Sequence, residues 1–343
     1  MPLPIILGVA AGIAALGGVG SGVHGAVKLK DAKDTMDRAK RTQQAAVDRC
    51  ERANRETTKV MDELGKKELN ILNSFSKFAD LIEKIQGRPE FKTFSKNGID
   101  IPKFHGSELR KVSVGAGLLL GSLGGAAVGT AGGFAAAGAT TAAVMALGTA
   151  STGTAIASLS GAALTNATLA ALGGGAIAAG GGGIALGTTI LGATTLGMGL
   201  LVGGIIFSIT GSKLSDKADE AWSQAQKTSV EATKICDYLY NLKSYAGRFS
   251  DSLNTVYKLY DDYFKGLNAV INLQGKKDWW LFTPQEQKMT ENACLLVGLL
   301  YNMCKVQLVL KDSYVNGQNA INVKGIMDAK MEADEVLTTV KAA

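Results

Sequence analysis

Apolar and polar residues alternate with helical spacing in the charged sequence that precedes a long uncharged stretch. Between residues 28 and 86 the apolar positions recur at steps of three, four and seven, which is the spacing of one helix face. These positions are Met61, Leu64, Ile71, Phe75, Phe78, Ile82 and Ile85. The pattern predicts one long amphipathic helix, with Gly65 as an alternative break and with Gly87 and Pro89 ending it.

A second apolar seam follows the uncharged stretch, and it alternates steps of four and three as a coiled coil does. Its members are Ile235, Leu239, Leu242, Ala246, Phe249, Leu253, Val256, Tyr260, Tyr263, Leu267 and Val270. The simplest partner is the 28–86 helix, packed antiparallel, so that the uncharged stretch is the connecting head of a long hairpin. Pairing between two chains is the alternative.

Several local signals predict where the remaining elements begin and end. Gly275 should stop the heptad helix, and Thr283-Pro284-Gln285-Glu286 predicts a capping box for the next helix, which should run to about Lys311. A last helix is expected from about Lys324 to Lys341. Between residues 91 and 104, Asn97-Gly98 predicts a small hairpin or compact loop, and Ser107 is the expected N-cap of a helix that enters the uncharged stretch.

The uncharged stretch covers residues 112–212, which contain no Asp, Glu, Lys or Arg and hold 26 of the 43 glycines. A run this long without charge indicates membrane-competent sequence. Small residues at every fourth position form one helix stripe through which helices associate closely in lipid. The glycines of this zipper are Gly117, Gly121, Gly125, Gly129 and Gly133, with a shorter echo at Gly199 and Gly203.

Clusters of large apolar residues at the two ends of the stretch are expected to carry insertion into the bilayer. They are Leu118, Leu119 and Leu120 at the first end, and Leu200, Leu201, Ile205, Ile206 and Phe207 at the second. A flexible Gly/Ala linker would lack such clusters, and a glycine fibre would need a strict three-residue period, which is missing here.

The predicted fold is all-α, an elongated antiparallel coiled-coil bundle with a glycine-rich, hydrophobic, membrane-inserting helical region. Four segments follow from the pattern: an apolar N-terminal helix (1–27), a charged amphipathic helix with a small loop or hairpin (28–111), the glycine-zipper membrane region (112–212), and the heptad and C-terminal helices (213–343). Whether the first segment spans a bilayer, anchors to it or packs internally stays open.

The net charge of +6 is concentrated before the uncharged stretch, where residues 28–111 hold 20 Lys and Arg against 14 Asp and Glu. This excess favours an anionic bilayer as partner, and basic residues on both sides of the stretch favour an even number of crossings. The residues expected at the membrane interface are Arg110, Lys111, Lys213, Trp222, Trp279 and Trp280. For Trp279 and Trp280, the alternative is an aromatic plug at a helix corner.

No enzymatic chemistry is indicated. The two histidines have no metal-ligand spacing, and the glycine runs lack the Gly-Lys-Ser/Thr ending of a phosphate loop. We therefore expect no cofactor, no metal and no nucleic-acid partner. The unpaired spacing of the four cysteines predicts free thiols and soluble helices in a reducing, cytoplasmic compartment; a secreted soluble form that later enters membranes is the alternative.

The layout resembles that of the apolipoprotein L family. The basic entry Glu108-Leu109-Arg110-Lys111-Val112-Ser113-Val114-Gly115 and the Trp222-containing amphipathic exit at 217–226 carry this resemblance. The same layout also resembles bacterial helical pore-forming toxins, in which a coiled-coil body carries an apolar head. Both resemblances imply conditional membrane insertion and ion conductance.

The predicted function is that of a membrane-inserting, self-associating helical protein that forms a pore or channel as a homo-oligomer. The alternative is a membrane scaffold that binds and shapes lipid without conducting. Both need an inserting apolar face and contacts between copies, so the sequence does not separate them.

Overall fold

The computed structural model describes residues 23–89, 95–96, 99–100, 106–123, 214–315 and 318–342. Helices account for 88% of the described residues, which confirms the prediction of a mainly helical protein. Five α-helices are present in these ranges: α1 (Val23–Glu83), α2 (Gly106–Leu123), α3 (Leu214–Asn268), α4 (Pro284–Met303) and α5 (Val323–Ala342). Four short strands form two hairpins: β1 (Ser95–Lys96) with β2 (Ile99–Asp100), and β3 (Val309–Val315) with β4 (Gln318–Ile321).

The chain divides into two compact units, and the division cuts through both long helices. Among the described residues, the first unit holds 23–50 and 214–234, and the second holds 51–123 and 235–342. The division therefore does not follow the four segments of the sequence pattern.

In the second unit α1 and α3 run parallel, so the prediction of antiparallel packing is wrong. Hydrogen bonds between them join residues whose numbers differ by 182, 183 and 188, and an antiparallel pair would instead keep the sum of the numbers constant. The bonds are Thr57 Oγ1 to the Leu239 carbonyl (3.0 Å), Lys67 Nζ to Ser250 Oγ (2.8 Å) and Lys84 Nζ to Asn272 Oδ1 (3.1 Å). Heptad spacing is the same in either direction, which is why the pattern did not reveal the orientation.

The seams themselves lie where the spacing predicted. All seven apolar positions of α1 are buried, and ten of the eleven positions of the α3 seam are buried, with Tyr263 half-buried. Aromatic side chains fill the contact, because Tyr260 lies edge-on to Phe75 at 6.4 Å and to Phe78 at 5.8 Å between ring centres.

Because α1 and α3 are parallel, the chain between them must run back along the helices, and α2 forms the first part of that segment. Arg110 contacts Asp80 and Glu83, whereas Ser113 Oγ donates to the Asn73 carbonyl 2.7 Å away, so α2 is antiparallel to α1. The start of the uncharged stretch therefore lies along the helical body, and the description of the stretch as the head of a hairpin is wrong in its first part.

The predicted ends of the long helices are confirmed. The α1 helix passes Gly65 without a break and ends at Glu83, and Gly87 follows with a φ of 67° that suits glycine. After α3 a short π-helical turn, Ala269–Leu273, leads to Gly275, whose φ is 73°. Strands β1 and β2 pair with Lys96 opposite Ile99, which confirms the small hairpin around residues 97–98. Helix α2 begins at Gly106, so Ser107 lies inside it and is not the cap.

The capping box before α4 is also confirmed. Thr283 Oγ1 accepts a hydrogen bond from the Glu286 amide, and the Glu286 carboxylate accepts one from the Thr283 amide 2.7 Å away. Helix α4 ends at Met303, not near Lys311, because β3 and β4 form a hairpin in which Val315 is opposite Gln318. The predicted last helix is confirmed as α5, whose buried face packs on the same core as α4.

The first unit has a different seam, made of small side chains. Ala32, Ala39 and Ala46 recur every seven residues along α1 and are buried. On α3 the buried residues are Ala218, Ala221, Ala225 and Ala232. Arg49 Nη2 donates to Ser229 Oγ at 3.3 Å, and Cys50 Sγ lies 3.3 Å from the Ala232 carbonyl. Alanine seams bury little apolar area per residue, so this unit gains less from hydrophobic burial than the second.

The parallel orientation predicts which engineered cysteines react. A Lys84→Cys, Asn272→Cys protein should form a cross-link within one chain, because the native side-chain atoms are 3.1 Å apart. A Lys84→Cys, Tyr240→Cys protein should not, since neighbouring Leu239 lies beside Thr57, about 40 Å from Lys84 along α1. Gel mobility after a short bifunctional maleimide distinguishes the two, and the native cysteines are all buried. Intrachain linkage of residues 84 and 240 would contradict the parallel orientation.

Candidate functional site

The candidate site is the surface on which the start of the uncharged stretch docks, because it joins the helical body to the predicted membrane region. On α2, Leu109, Val112 and Ala116 are buried, and their steps of three and four place them on one face. The opposite face is open, as Val114 is 52% exposed. The first turns of the uncharged stretch thus behave as an ordinary amphipathic helix in this state.

Only the beginning of the glycine zipper lies within the described residues. A Cβ added to Gly117 would lie 2.9 Å from Asn73 Oδ1, whereas nothing lies within 4 Å of the same position on Gly121. The Asn73 amide ends an exposed, movable side chain, so the contact alone does not require glycine. Gly125, Gly129, Gly133, Gly199 and Gly203 lie outside the described residues, and their role stays a prediction.

The predicted insertion residues are mostly outside the described ranges as well. Leu120 is half-buried and packs against the core of the second unit. Leu118 and Leu119 belong to α2, but their side chains are not described. Leu200, Leu201, Ile205, Ile206 and Phe207 lie outside the described residues, as does Lys213 at the end of the stretch.

Arg110 fastens α2 to the end of α1 by a forked contact. Its Nη1 and Nη2 atoms each lie 2.6 Å from a different oxygen of Glu83, and Nη2 also lies 2.8 Å from Asp80 Oδ1. Bidentate contacts of this kind fix orientation as well as charge. The hydrogen bond from Arg110 holds the pKa of Glu83 below its usual range, so the pair persists at neutral pH and is lost only as the pH falls through that lowered pKa.

Glu68 lies completely inside the second unit. Neither of its carboxyl oxygens has a hydrogen-bond partner among the described residues, and burial raises its pKa well above the ordinary value. The nearby Cys304 thiol is also fully buried, and burial together with Glu68 raises its pKa. An unpaired buried carboxyl disfavours its charged form strongly, so Glu68 weakens the folded body as the pH rises.

The predicted interfacial residues occupy different environments. Lys111 is exposed on α2 next to the Arg110 fork, and Trp222 packs in the first unit against the cluster of Ala39, Ala221 and Ala225. Trp279 is buried against Phe282 with ring centres 5.6 Å apart, whereas Trp280 is 81% exposed. Trp279 therefore takes the alternative role of a corner plug, whereas Trp280 is exposed and its place at a membrane interface stays a prediction.

All four cysteines are buried, and none of them forms a disulfide. Within the described ranges, no group of three His, Cys, Asp or Glu residues is arranged to hold a metal ion. No helix in those same ranges has both the length and the apolar character to cross a membrane. A comparison with protein-family models found no match, and comparisons with curated proteins and with solved structures found none either.

Two features of the site were missed from the sequence, although one had a signal. The α1 seam steps from Leu64 to Ile71, and Glu68 occupies the position between them that restores alternating steps of four and three. A charged residue in that position predicts a buried carboxyl. The Arg110 fork had no such signal, because its partners are separated from it by 27 and 30 residues and depend on the direction of α2.

Removing the fork should loosen α2 without unfolding the body. In an Arg110→Ala protein, amide hydrogen exchange in 106–123 should become several-fold faster, because only the apolar contacts and the hydrogen bond from Ser113 to Asn73 remain to hold the helix. Arg110→Lys should be intermediate, since it keeps the charge and loses the bidentate geometry. The matched control is Lys111→Ala, at an exposed position with no ion pair among the described residues. Equal exchange rates in all four proteins would show that Arg110 does not hold α2.

Replacing the buried carboxyl should stabilise the protein, and more so at higher pH. Below both pKa values Glu68 is neutral in the folded and unfolded states; above its unfolded pKa the folded state opposes ionisation and loses stability. A Glu68→Gln protein should therefore exceed the parent by about 1–3 kcal/mol in urea unfolding at about pH 8 and by less at about pH 5.

The control for this experiment is Glu63→Gln, which removes an exposed carboxylate of the same helix. Its effect should be small at both pH values, because an exposed group keeps its hydration on folding. A Glu68→Gln gain that is the same at both pH values would contradict ionisation as the source of the instability.

Proposed function

We propose that this protein inserts into membranes, associates with copies of itself there, and forms a pore or channel. The observation that carries the proposal is the run of residues 112–212 without a charged side chain, attached directly to a charged helical body. A run of that length exceeds several bilayer-spanning segments, so lipid is the environment that suits it best.

The docking of α2 supports insertion that is conditional. The first turns of the uncharged stretch pack against α1 through Leu109, Val112 and Ala116, and Arg110 holds their entry. The helix is held by these buried residues, by the hydrogen bond from Ser113 and by the Arg110 fork, and the exposed fork is the contact that is lost with least disturbance to the core. Release would free residues 112–212 as a unit for entry into lipid.

The proposal of self-association rests on the four-residue spacing of glycines from Gly117 to Gly133. Glycines at every fourth position allow helix backbones to approach closely, which drives association where lipid removes the hydrophobic effect. Close packing of glycine-rich helices would also serve a scaffold that coats lipid. Retention of a dye inside vesicles distinguishes a scaffold from a pore. Release of a small dye from anionic vesicles supports the pore, whereas tight binding with full retention supports the scaffold.

A charge placed in the most apolar piece of the stretch tests insertion. Lysine at the centre of a bilayer opposes insertion by roughly 2.5–3.5 kcal/mol, so Ile205→Lys should abolish dye release. Gln226→Lys is the matched control, because Gln226 is an exposed position on α3 and should leave release unchanged. If Ile205→Lys still releases dye and resists carbonate extraction as the parent does, the stretch is not the membrane element.

A further inference from the structure

One end of the second unit carries an unusual concentration of exposed apolar side chains. Among the large apolar residues described, the four most exposed are Leu273 (81%), Trp280 (81%), Met331 (67%) and Leu281 (62%). Three of these four lie on the single connection between α3 and α4. We call residues 84–88 and 269–283 the tip.

The exposure does not arise from a loose loop, because the tip is tied together by backbone bonds. The Gln86 amide donates to the Lys277 carbonyl at 2.7 Å, and the Trp279 amide donates to the Gln86 carbonyl at 2.9 Å. Asp278 Oδ1 accepts from the Trp280 amide at 3.1 Å and caps the short 3-10 turn. Trp279 is thereby fixed inward and Trp280 outward.

The charges around these side chains are mainly basic. Residues 84–88 and 269–286 carry a net charge of +2, because four basic residues face two acidic ones in sequence. The basic residues are Lys84, Arg88, Lys276 and Lys277, and the acidic ones are Asp278 and Glu286. Lys276 is neutralised by Glu286 at 2.7 Å, whereas Lys84 and Lys277 have no ion pair among the described residues. The tip therefore keeps two ammonium groups without a carboxylate partner among the described residues, and that of Lys84 donates to Asn272 Oδ1.

The size of the patch favours a lipid surface over a protein partner. A standard protein interface buries about 800 Å² per partner with close shape complementarity, and three side chains supply only a fraction of that area. A bilayer interface needs no such complementarity, takes single tryptophans at headgroup depth, and attracts lysines when its lipids are anionic.

We infer that the tip is a docking surface for an anionic bilayer, formed by Leu273, Trp280 and Leu281 with Lys84 and Lys277 beside them. The inference deepens the proposed function, on which it rests for the choice of the bilayer as partner. It assigns the first contact to the folded body and leaves insertion to residues 112–212. Binding and dye release are therefore separate steps with separate variants.

Binding of the full chain to vesicles tests the tip. A Trp280→Ser, Leu281→Ser protein should bind vesicles of phosphatidylcholine with phosphatidylglycerol at least about tenfold more weakly than the parent in co-sedimentation. Lys277→Glu should lower binding by a similar factor, and added salt should reduce the difference. The parent should bind pure phosphatidylcholine vesicles far more weakly.

Met331→Ser is the matched control, because Met331 is equally apolar and exposed but lies on α5, away from the tip. It should bind as the parent does, and circular dichroism should be unchanged in every variant.

Equal binding by the tip variants and the parent would overturn the inference and leave the proposed function standing. Weaker binding by the tip variants, combined with undiminished dye release by Ile205→Lys, would uphold the tip and refute the proposed route of insertion. A change in oligomeric state of the tip variants without lipid would overturn the inference in favour of a protein contact.

Discussion

The parallel alignment of α1 and α3 in the second unit is the constraint on which the other contacts there depend. Two parallel helices of one chain cannot be joined by a short turn, so the chain must travel back along them. Helix α2 is the first part of this returning segment and runs antiparallel to α1, which places Arg110 beside Asp80 and Glu83. The start of the uncharged stretch is consequently packed on the body instead of projecting from its end. Helix α4 then fills the core against both long helices, with Cys294 and Cys304 fully enclosed.

The two units differ in what fills their seams, and this difference has energetic consequences. Large side chains such as Phe75, Phe249 and Tyr260 are completely buried in the second unit, whereas alanines line the first. Burial contributes about 25 cal/mol per Å² of apolar surface, so an alanine seam supplies a small fraction of the stabilisation of an aromatic one. The first unit, which contains the beginning of α3 after the uncharged stretch, therefore gains less stabilisation from its seam than the second.

Sequence reasoning recovered those features that depend on local chemistry. The capping box at Thr283, the stop at Gly275 and the buried heptad positions follow from spacing and turn residues alone. Helix direction was not recoverable, because a heptad seam reads alike in both directions. The C-terminal hairpin was recoverable and was missed, since Asn316-Gly317 between two runs of strand-forming residues is the same signal that identified the hairpin at Asn97-Gly98. In the sequence Glu68 looks like an ordinary surface glutamate, and only its position in the α1 seam indicates that it is buried.

The carboxyl groups of Glu83 and Glu68, both on α1, respond to acid in opposite directions and in different pH ranges. Acidification through the lowered pKa of Glu83 protonates the partner of Arg110 and weakens the hold on α2. The penalty at Glu68, whose pKa is raised by burial, is relieved at higher pH, because it disappears as the pH falls from that raised pKa to the ordinary pKa of the unfolded chain. The core around Glu68 has therefore already lost its penalty before the Arg110–Glu83 contact is protonated. Neither group alone gives this behaviour, because a single depressed or raised pKa would shift docking or folding, but not both in opposite senses.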